Sequence, residues 1–357
     1  MEKRILHSLE TLIRFRTTTA YPKQKQDCIQ WIESAFLTES GYQKFTGCVE
    51  ECPYLLLLHP DARFLWFAHI DVVPAEDAQF CLTREGDTLR GRGVKDMKGA
   101  ALPFFLAYKD ACDEGPPPPV SILLSSDEEI GGATIPTLTA QGLKAPIAFT
   151  PDTGSAHGIV TEHKGALWID LACRGTSGHG AMPSMSRNAL QCLADTLQRL
   201  KDAFPTGSLS DWQMTVTPTM LKAGDAENRV PELATATLDV RYPSNQCNGT
   251  DSVVAALTPF LGEGCSLHIR KHALPLHTDS AHPFIQTFVS VVKEVEGSTP
   301  PFIREHGATD ARHFCAAGIP AFLYGPRGGD LHGQSEWVSL ASLLQQYAIY
   351  RKIFITL

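Results

Sequence analysis

The chain has no basic surplus. Its 31 lysines and arginines stand against 39 acids, for a formal charge of -8 over 357 residues. Nucleic-acid binding by phosphate neutralisation needs the opposite balance, so composition gives that class no support. No segment approaches the roughly 18 to 20 uninterrupted apolar residues that a membrane-crossing helix requires, so no membrane partner is expected. There is no C-x-x-C pair: the ten cysteines are scattered singly, with Cys48 and Cys52 the closest. A disulfide framework is not expected in a chain of this size, and the cysteines are expected to be buried free thiols with no catalytic role. Internal repeats are absent, and the only low-complexity tract is the run of prolines in "EGPPPP".

What is present fits a soluble globular protein, with 43% hydrophobic and 20% charged residues, and the length suits a large core and two domains. The opening "MEKRILHSLETLIRF" places Ile5, Leu6, Leu9 and Leu12 at helical spacing with Glu2 and Glu10 among them. This reads as an amphipathic helix rather than a secretory signal, and a cytoplasmic location is the expectation.

Over the first 150 residues, helical patterns such as "QDCIQWIESAFL" and "MKGAALPFFLAYKDAC" alternate with apolar strands, "YLLLL", "FLWFA", "VSILLSS" and "PIAFTPD". Apolar strands separated by helices predict an α/β domain on a mostly parallel sheet. Between 165 and 276 the order changes to strand "ALWIDLACRG", helix "NALQCLADTLQRLKDAF", strands "WQMTVTPTML" and "LATATLDVRY", helix "DSVVAALTPFL" and strand "SLHIRKHAL". This β-α-β-β-α-β order is that of a ferredoxin-like α+β unit. From 283 the first style returns with "PFIQTFVSVVKEV", "AFLYGP" and "LASLLQQYAIYRKIF". The expectation is a catalytic domain of residues 1–164 and 277–357, interrupted by a smaller domain of residues 165–276.

Acids and histidines recur where apolar strands run out. His69 and Asp71 follow "FLWFA", Glu128 and Glu129 follow "SILLSSD", Asp152 follows "IAFTP", and His332 lies beyond "AFLYGP". Asp96 sits in the glycine-rich turn "GRGVKDMKG". Singly, each has a plain reading as a helix cap, a solvated turn or a loop histidine. Together they fall where open α/β sheets bind ligands, outside the carboxyl ends of strands. Imidazoles and carboxylates in this number suit a hydrolytic site with two divalent ions, most simply zinc, which needs a bridging carboxylate, terminal ligands and a free base.

The ordered set "HIDVVP", "GRGVKDMKGA", "DEEIGG", "GTSGHGAMP", "NRVP", "DVRY", "GATDAR" and "LHGQSEW" resembles the co-catalytic zinc aminoacylase and peptidase family. That family includes acetylornithine deacetylase, succinyl-diaminopimelate desuccinylase, aminoacylases and carnosinase-type dipeptidases. The resemblance implies a two-metal hydrolase acting on N-acyl amino acids or short dipeptides, with zinc, cobalt or manganese as the metal and a homodimer formed through the inserted lid. It implies that Asp96 bridges the ions, that His69 and Asp152 hold one and that Glu129 and His332 hold the other. Glu128 would be the general base, and Asp71 would orient His69 through its second ring nitrogen. His179 would stabilise the oxyanion from the partner subunit, and Asn228 and Arg241 would bind substrate. Gly307, with Thr309, Asp310 and Arg312, would shape the substrate end.

Two branches of that family leave their marks. Aspartate at 152, in "TPDTGS", is more like the dipeptidase and aminopeptidase branches, whereas "EHKGALWIDLACRG" resembles the deacetylase side. Deacylase and dipeptidase therefore both stand as readings. A non-catalytic amino-acid-binding scaffold would be expected to have lost ligands, and a two-metal phosphoesterase would be expected to show a phosphate-binding glycine loop.

Overall fold

The apolar run ending at His69 forms the strand Phe64–His69, buried along its whole length. In the computed structural model, which describes residues 1–356 other than Ser40 and Leu209, this strand lies at the centre of a mixed sheet. It pairs in parallel with Val120–Ser125 on one side and with Ala148–Thr150 on the other. Ala321–Leu323 adds a further parallel strand beyond Ala148–Thr150. Residues buried on both faces cannot alternate apolar with polar, which is why these segments read as continuous hydrophobic runs.

The parallel centre agrees with the expected α/β class, and the edges add antiparallel strands. Cys52–Leu58 runs antiparallel to Val120–Ser125 and forms a hairpin with Gln43–Val49. On the far side, Ile159–His163 runs antiparallel to Ala321–Leu323. Sequence patterning missed Gln43–Val49 because its residues are largely exposed and carry no apolar alternation. Helices Glu2–Arg14, Pro22–Phe36, Lys98–Glu114, Pro283–Glu296 and Leu340–Thr356 share one hydrophobic core with the sheet. No helix among the described residues is long and apolar enough to cross a membrane.

A second, small antiparallel sheet of Gly328–Gly329, Trp337–Ser339, Thr88–Arg90 and Thr83–Glu85 was not legible from sequence. Its register pairs Trp337 with Arg90 and Val338 with Leu89. The loop carrying His332 therefore returns to the chain just before the turn that carries Asp96.

The chain divides into two compact units: Met1–Glu162 with His277–Glu305 and Thr309–Leu357, and His163–Leu276 with His306–Ala308. Within the second unit, Thr215–Ala223, Leu233–Tyr242, Gly165–Arg174 and Cys265–Ala273 form an antiparallel sheet in that spatial order. Helices Ala189–Ala203 and Thr250–Leu257 complete the chain order strand-helix-strand-strand-helix-strand. Strand Leu233–Tyr242 buries every second residue, as one packed face requires. Leu193 and Leu200 bring the helix's apolar stripe into this unit's own core, while Leu190 is exposed.

One expectation fails here. Cys173 and Cys265 form a disulfide rather than remaining free thiols. They are direct register partners on adjacent antiparallel strands, with Cα atoms 4.1 Å apart. A separation of 92 residues hides that proximity in the sequence.

Trp66 anchors the first unit. It is fully buried, stacks on Phe104 at a centroid distance of 3.9 Å, and its indole N–H donates to the Tyr350 hydroxyl at 3.3 Å. Trp66→Ala is expected to cost about 3 to 5 kcal/mol of stability, read as a lower denaturant midpoint in urea or guanidinium titration.

Candidate metal centre

Parallel register fixes where the polar residues gather. His69 is the direct partner of Ser125, and the Ile70 N–H donates to the Ser125 carbonyl at 2.9 Å. The residues following these two strands, 71 and 127–129, consequently leave the sheet side by side. Asp71 is buried and holds both segments together. His69 Nδ1 lies 3.1 Å from the Asp71 carbonyl oxygen and 3.4 Å from its Oδ1. The same carboxylate accepts the Glu129 N–H at 3.1 Å and faces the Glu128 N–H at 3.4 Å.

The Asp96 turn is built around Glu336. This buried carboxylate accepts the backbone N–H groups of Gly93 at 2.9 Å, Lys95 at 2.8 Å and Asp96 at 3.0 Å. It also pairs with the buried Arg92 guanidinium at 2.7 Å, and Arg92 donates onward to the carbonyls of His332 and Gly333. Gly93 has φ +83°, and a Cβ there would lie 2.8 Å from Val72 Cγ1, so the turn needs glycine on both counts. Lys95, also buried, donates to the Thr153 carbonyl and hydroxyl, tying the Asp152 turn to the same assembly.

These supports bring five acids and histidines into one cluster. Asp96 turns one oxygen to each of two histidines: Oδ1 is 3.1 Å from His69 Nε2 and Oδ2 is 3.2 Å from His332 Nε2. His332 Nε2 is also 3.2 Å from Glu129 Oε2. Two triads result, His69–Asp96–Asp152 and Asp96–Glu129–His332, each with its donor atoms within 4.8 Å of one another. Asp96 belongs to both. Glu128 belongs to neither and sits beside them, 3.9 Å from Arg312 Nη1.

The electrostatics ask for positive charge in this space. Burial, followed by the nearby Asp96 charge, pushes the Asp152 carboxyl up to about 7. Burial also opposes ionisation of Asp96, yet hydrogen bonds from His332 and His69 hold it well below the ordinary carboxylate range. Hydrogen bonds to Asp96 and Glu129 raise His332 to about 10. For His69, burial disfavours the imidazolium, but Asp71 and Asp96 outweigh it and the net shift is upward. Glu129 Oε1 is buried without a hydrogen-bond partner. Divalent cations fit this donor set: imidazole nitrogens and carboxylate oxygens are zinc-type ligands, and binding would release the protons that the histidines otherwise retain.

Sequence reasoning missed Glu336 and Arg92, although both lie within or beside the quoted motifs. An acid four residues beyond His332 in "LHGQSEW" was the available signal. Asp310 and Arg312, which sequence alone grouped only as substrate-end residues, stand next to Glu128. Burial and then the Asp310 charge push the Glu128 carboxyl well above its ordinary value.

The remaining candidates belong to the second unit. His179 and Asn228 are exposed and meet through their backbones, the Gly180 N–H donating to the Asn228 carbonyl at 2.8 Å. Gly307 is exposed, with nothing within 4 Å of where a Cβ would project. Arg241 makes a two-pronged bond with Asp239 at 2.6 and 3.0 Å and lies 5.1 Å over the Trp168 ring. The guanidinium expected to meet a substrate carboxylate is thus held by a carboxylate of its own strand.

Fold and site together define a metal-dependent hydrolase of amide bonds. Residues 65–356 match the profile of peptidase family M20/M25/M40, and the chain belongs to that family. Among curated proteins it is 26% identical over 381 residues to a succinyl-diaminopimelate desuccinylase of Rickettsia bellii, covering 96% of this chain and 94% of that one. To the desuccinylase of Acidiphilium cryptum it is 30% identical over 318 residues, 82% of each chain. Among solved structures, aminopeptidase PepT from Bacillus cereus superimposes with a TM-score of 0.83 at 15% identity, covering 99% of this chain and 98% of that one. Human carnosine dipeptidase 1 does so with a TM-score of 0.70 at 14% identity, covering 99% and 96%. At such identities these structures speak for the fold alone.

Replacing Glu336 by Gln removes the charge that pairs with buried Arg92 and turns an amide N–H₂ toward backbone donors. A stability loss of about 3 to 5 kcal/mol is expected by chemical denaturation. Zinc affinity is expected to fall roughly 10- to 100-fold in competition with a fluorescent chelator.

Proposed function

We propose that the chain hydrolyses the amide bond of an N-acyl amino acid, using two divalent cations, most simply zinc. The observation that carries this reading is the Asp96 carboxylate, shared between two triads, with the Glu128 carboxyl outside both and beside them. The full-length likeness to desuccinylases supports the acyl amino acid as substrate class.

His69 and Asp152 would hold one cation, Glu129 and His332 the other, and Asp96 both. Bound there, the cations supply Lewis acidity, lowering the pKa of water and polarising the scissile carbonyl. Glu128 takes the proton of the attacking water on a carboxylate oxygen and passes it to the leaving amine nitrogen. Burial and the Asp310 charge favour its protonated form, which suits the second of these tasks. Asp71 holds His69 by Nδ1, so that Nε2 presents its lone pair to the site. The second unit acts as a lid and dimerisation domain. His179 of the partner subunit stabilises the oxyanion, while Asn228, Arg241 and Gly307 position the substrate. The enzyme works in the cytoplasm as a homodimer.

A second reading, hydrolysis of short unblocked peptides, is favoured by aspartate at 152. A panel of N-acetyl and N-succinyl amino acids against free dipeptides decides between them. Preference in kcat/KM for the blocked substrates supports the deacylase, and preference for free amines supports the dipeptidase.

Glu128→Gln is expected to bind its full complement of metal and lose about 10²- to 10⁴-fold in kcat. Near-normal turnover removes Glu128 from the base role. His69→Ala is expected to lower metal content in elemental analysis of the purified protein; unchanged stoichiometry argues against ligation by His69.

A further inference from the structure

The second unit contains a third sulfur in contact with its disulfide. Cys192 Sγ lies 3.5 Å from Cys265 Sγ, and the sulfurs of Cys173, Cys192 and Cys265 all fall within 4.8 Å of one another. Cys173 is fully buried, whereas Cys192 and Cys265 are half-exposed. Cys192 lies early in the helix Ala189–Ala203. Its sulfur also contacts the Glu263 carbonyl at 3.4 Å. Gly262 leaves room above it: a Cβ there would come within 2.9 Å of the Cys192 sulfur.

We propose that these three cysteines form a thiol–disulfide exchange site in which Cys192 takes Cys265 from Cys173. The Cys192 sulfur lies beside the disulfide rather than on its axis; it turns about its Cα–Cβ bond into line with the Cys265–Cys173 bond and attacks the Cys265 sulfur as the thiolate. The Cys192–Cys265 bond forms as the Cys265–Cys173 bond breaks, and the bonding pair leaves on Cys173. The proton that Cys192 gives to water is matched by one taken up at Cys173, so no oxidant or reductant is consumed. The exchange changes what the strand Cys265–Ala273 is tied to: the neighbouring strand Gly165–Arg174 in one state, the helix Ala189–Ala203 in the other. It also gives the disulfide a second route to reduction beside direct attack at half-exposed Cys265, because a small thiol reaches Cys192 far more readily than fully buried Cys173.

The test is disulfide mapping of the full chain. The protein is equilibrated in reduced and oxidised glutathione, quenched in acid, alkylated with N-ethylmaleimide and digested without reduction. Mass spectrometry is expected to find two linked peptides, one joining Cys265 to Cys173 and the other joining it to Cys192. Cys192→Ser should keep only the first, and Cys173→Ser only the second. A wild-type chain with the Cys173 link alone and Cys192 alkylated throughout overturns the proposal. Should Cys173→Ser fold poorly by circular dichroism, the rate of disulfide reduction by dithiothreitol decides. Cys192→Ser is expected to slow it roughly tenfold or more relative to wild type, because access through the exchange thiol is lost. Equal rates overturn the relay.

Discussion

Burying a carboxylate is costly unless it is both paired and hydrogen-bonded, and Glu336 meets that condition by gathering two loops around itself. Its two oxygens receive three consecutive-region N–H groups from the Asp96 turn and one guanidinium N–H from Arg92. Arg92 in turn binds the carbonyl of His332. Asp96 and His332 come from distant parts of the chain, so their 3.2 Å approach depends on this tie more than on any local preference. The small sheet pairing Trp337 with Arg90 makes the tie possible by bringing both loops to one place.

Asp71 performs the complementary task on the other side of Asp96. Its carboxylate is shared between His69 Nδ1 and the backbone of residues 128 and 129, so the orientation of one ligand and the path of the segment bearing the candidate base are set together. Acids of similar intrinsic acidity are then separated by surroundings. Hydrogen bonds from two histidines hold Asp96 ionised, while burial without such donors pushes Asp152 and Glu128 the other way. Neighbouring carboxylates pushed apart in this manner can be ligand and proton carrier within a few ångströms.

Much of this was legible in the sequence because it is written in local pattern. The continuous apolar runs gave the parallel strands, and acids and histidines placed just past "FLWFA", "SILLSS" and "IAFTP" marked the sheet end where they collect. Non-local register was invisible. Nothing local announces that Cys173 faces Cys265, that Trp337 pairs with Arg90, or that Glu336 reaches the 93–96 backbone. These depend on strand alignment over 92 residues in the first case and over more than two hundred in the others. The exposed hairpin strand Gln43–Val49 was missed for the opposite reason: it buries too little for a hydrophobic pattern to be needed.

Arg241 shows why a motif and a site are different things. The sequence places an arginine at the end of a strand, and a free arginine there suits a substrate carboxylate. In the folded unit its fork is already filled by Asp239, and its face rests on Trp168. An incoming carboxylate would exchange one ion pair for another, and such an exchange gains little unless the displaced Asp239 is compensated. Groups whose hydrogen bonding is still incomplete gain more from a substrate partner than one already paired. Within the first unit the clearest of these is the Asp310 carboxylate, buried beside Arg312 and Glu128 with neither oxygen hydrogen-bonded. Its neighbours place it beside Glu128, so under the proposed reaction selection and turnover would draw on the same few side chains rather than on separate sites.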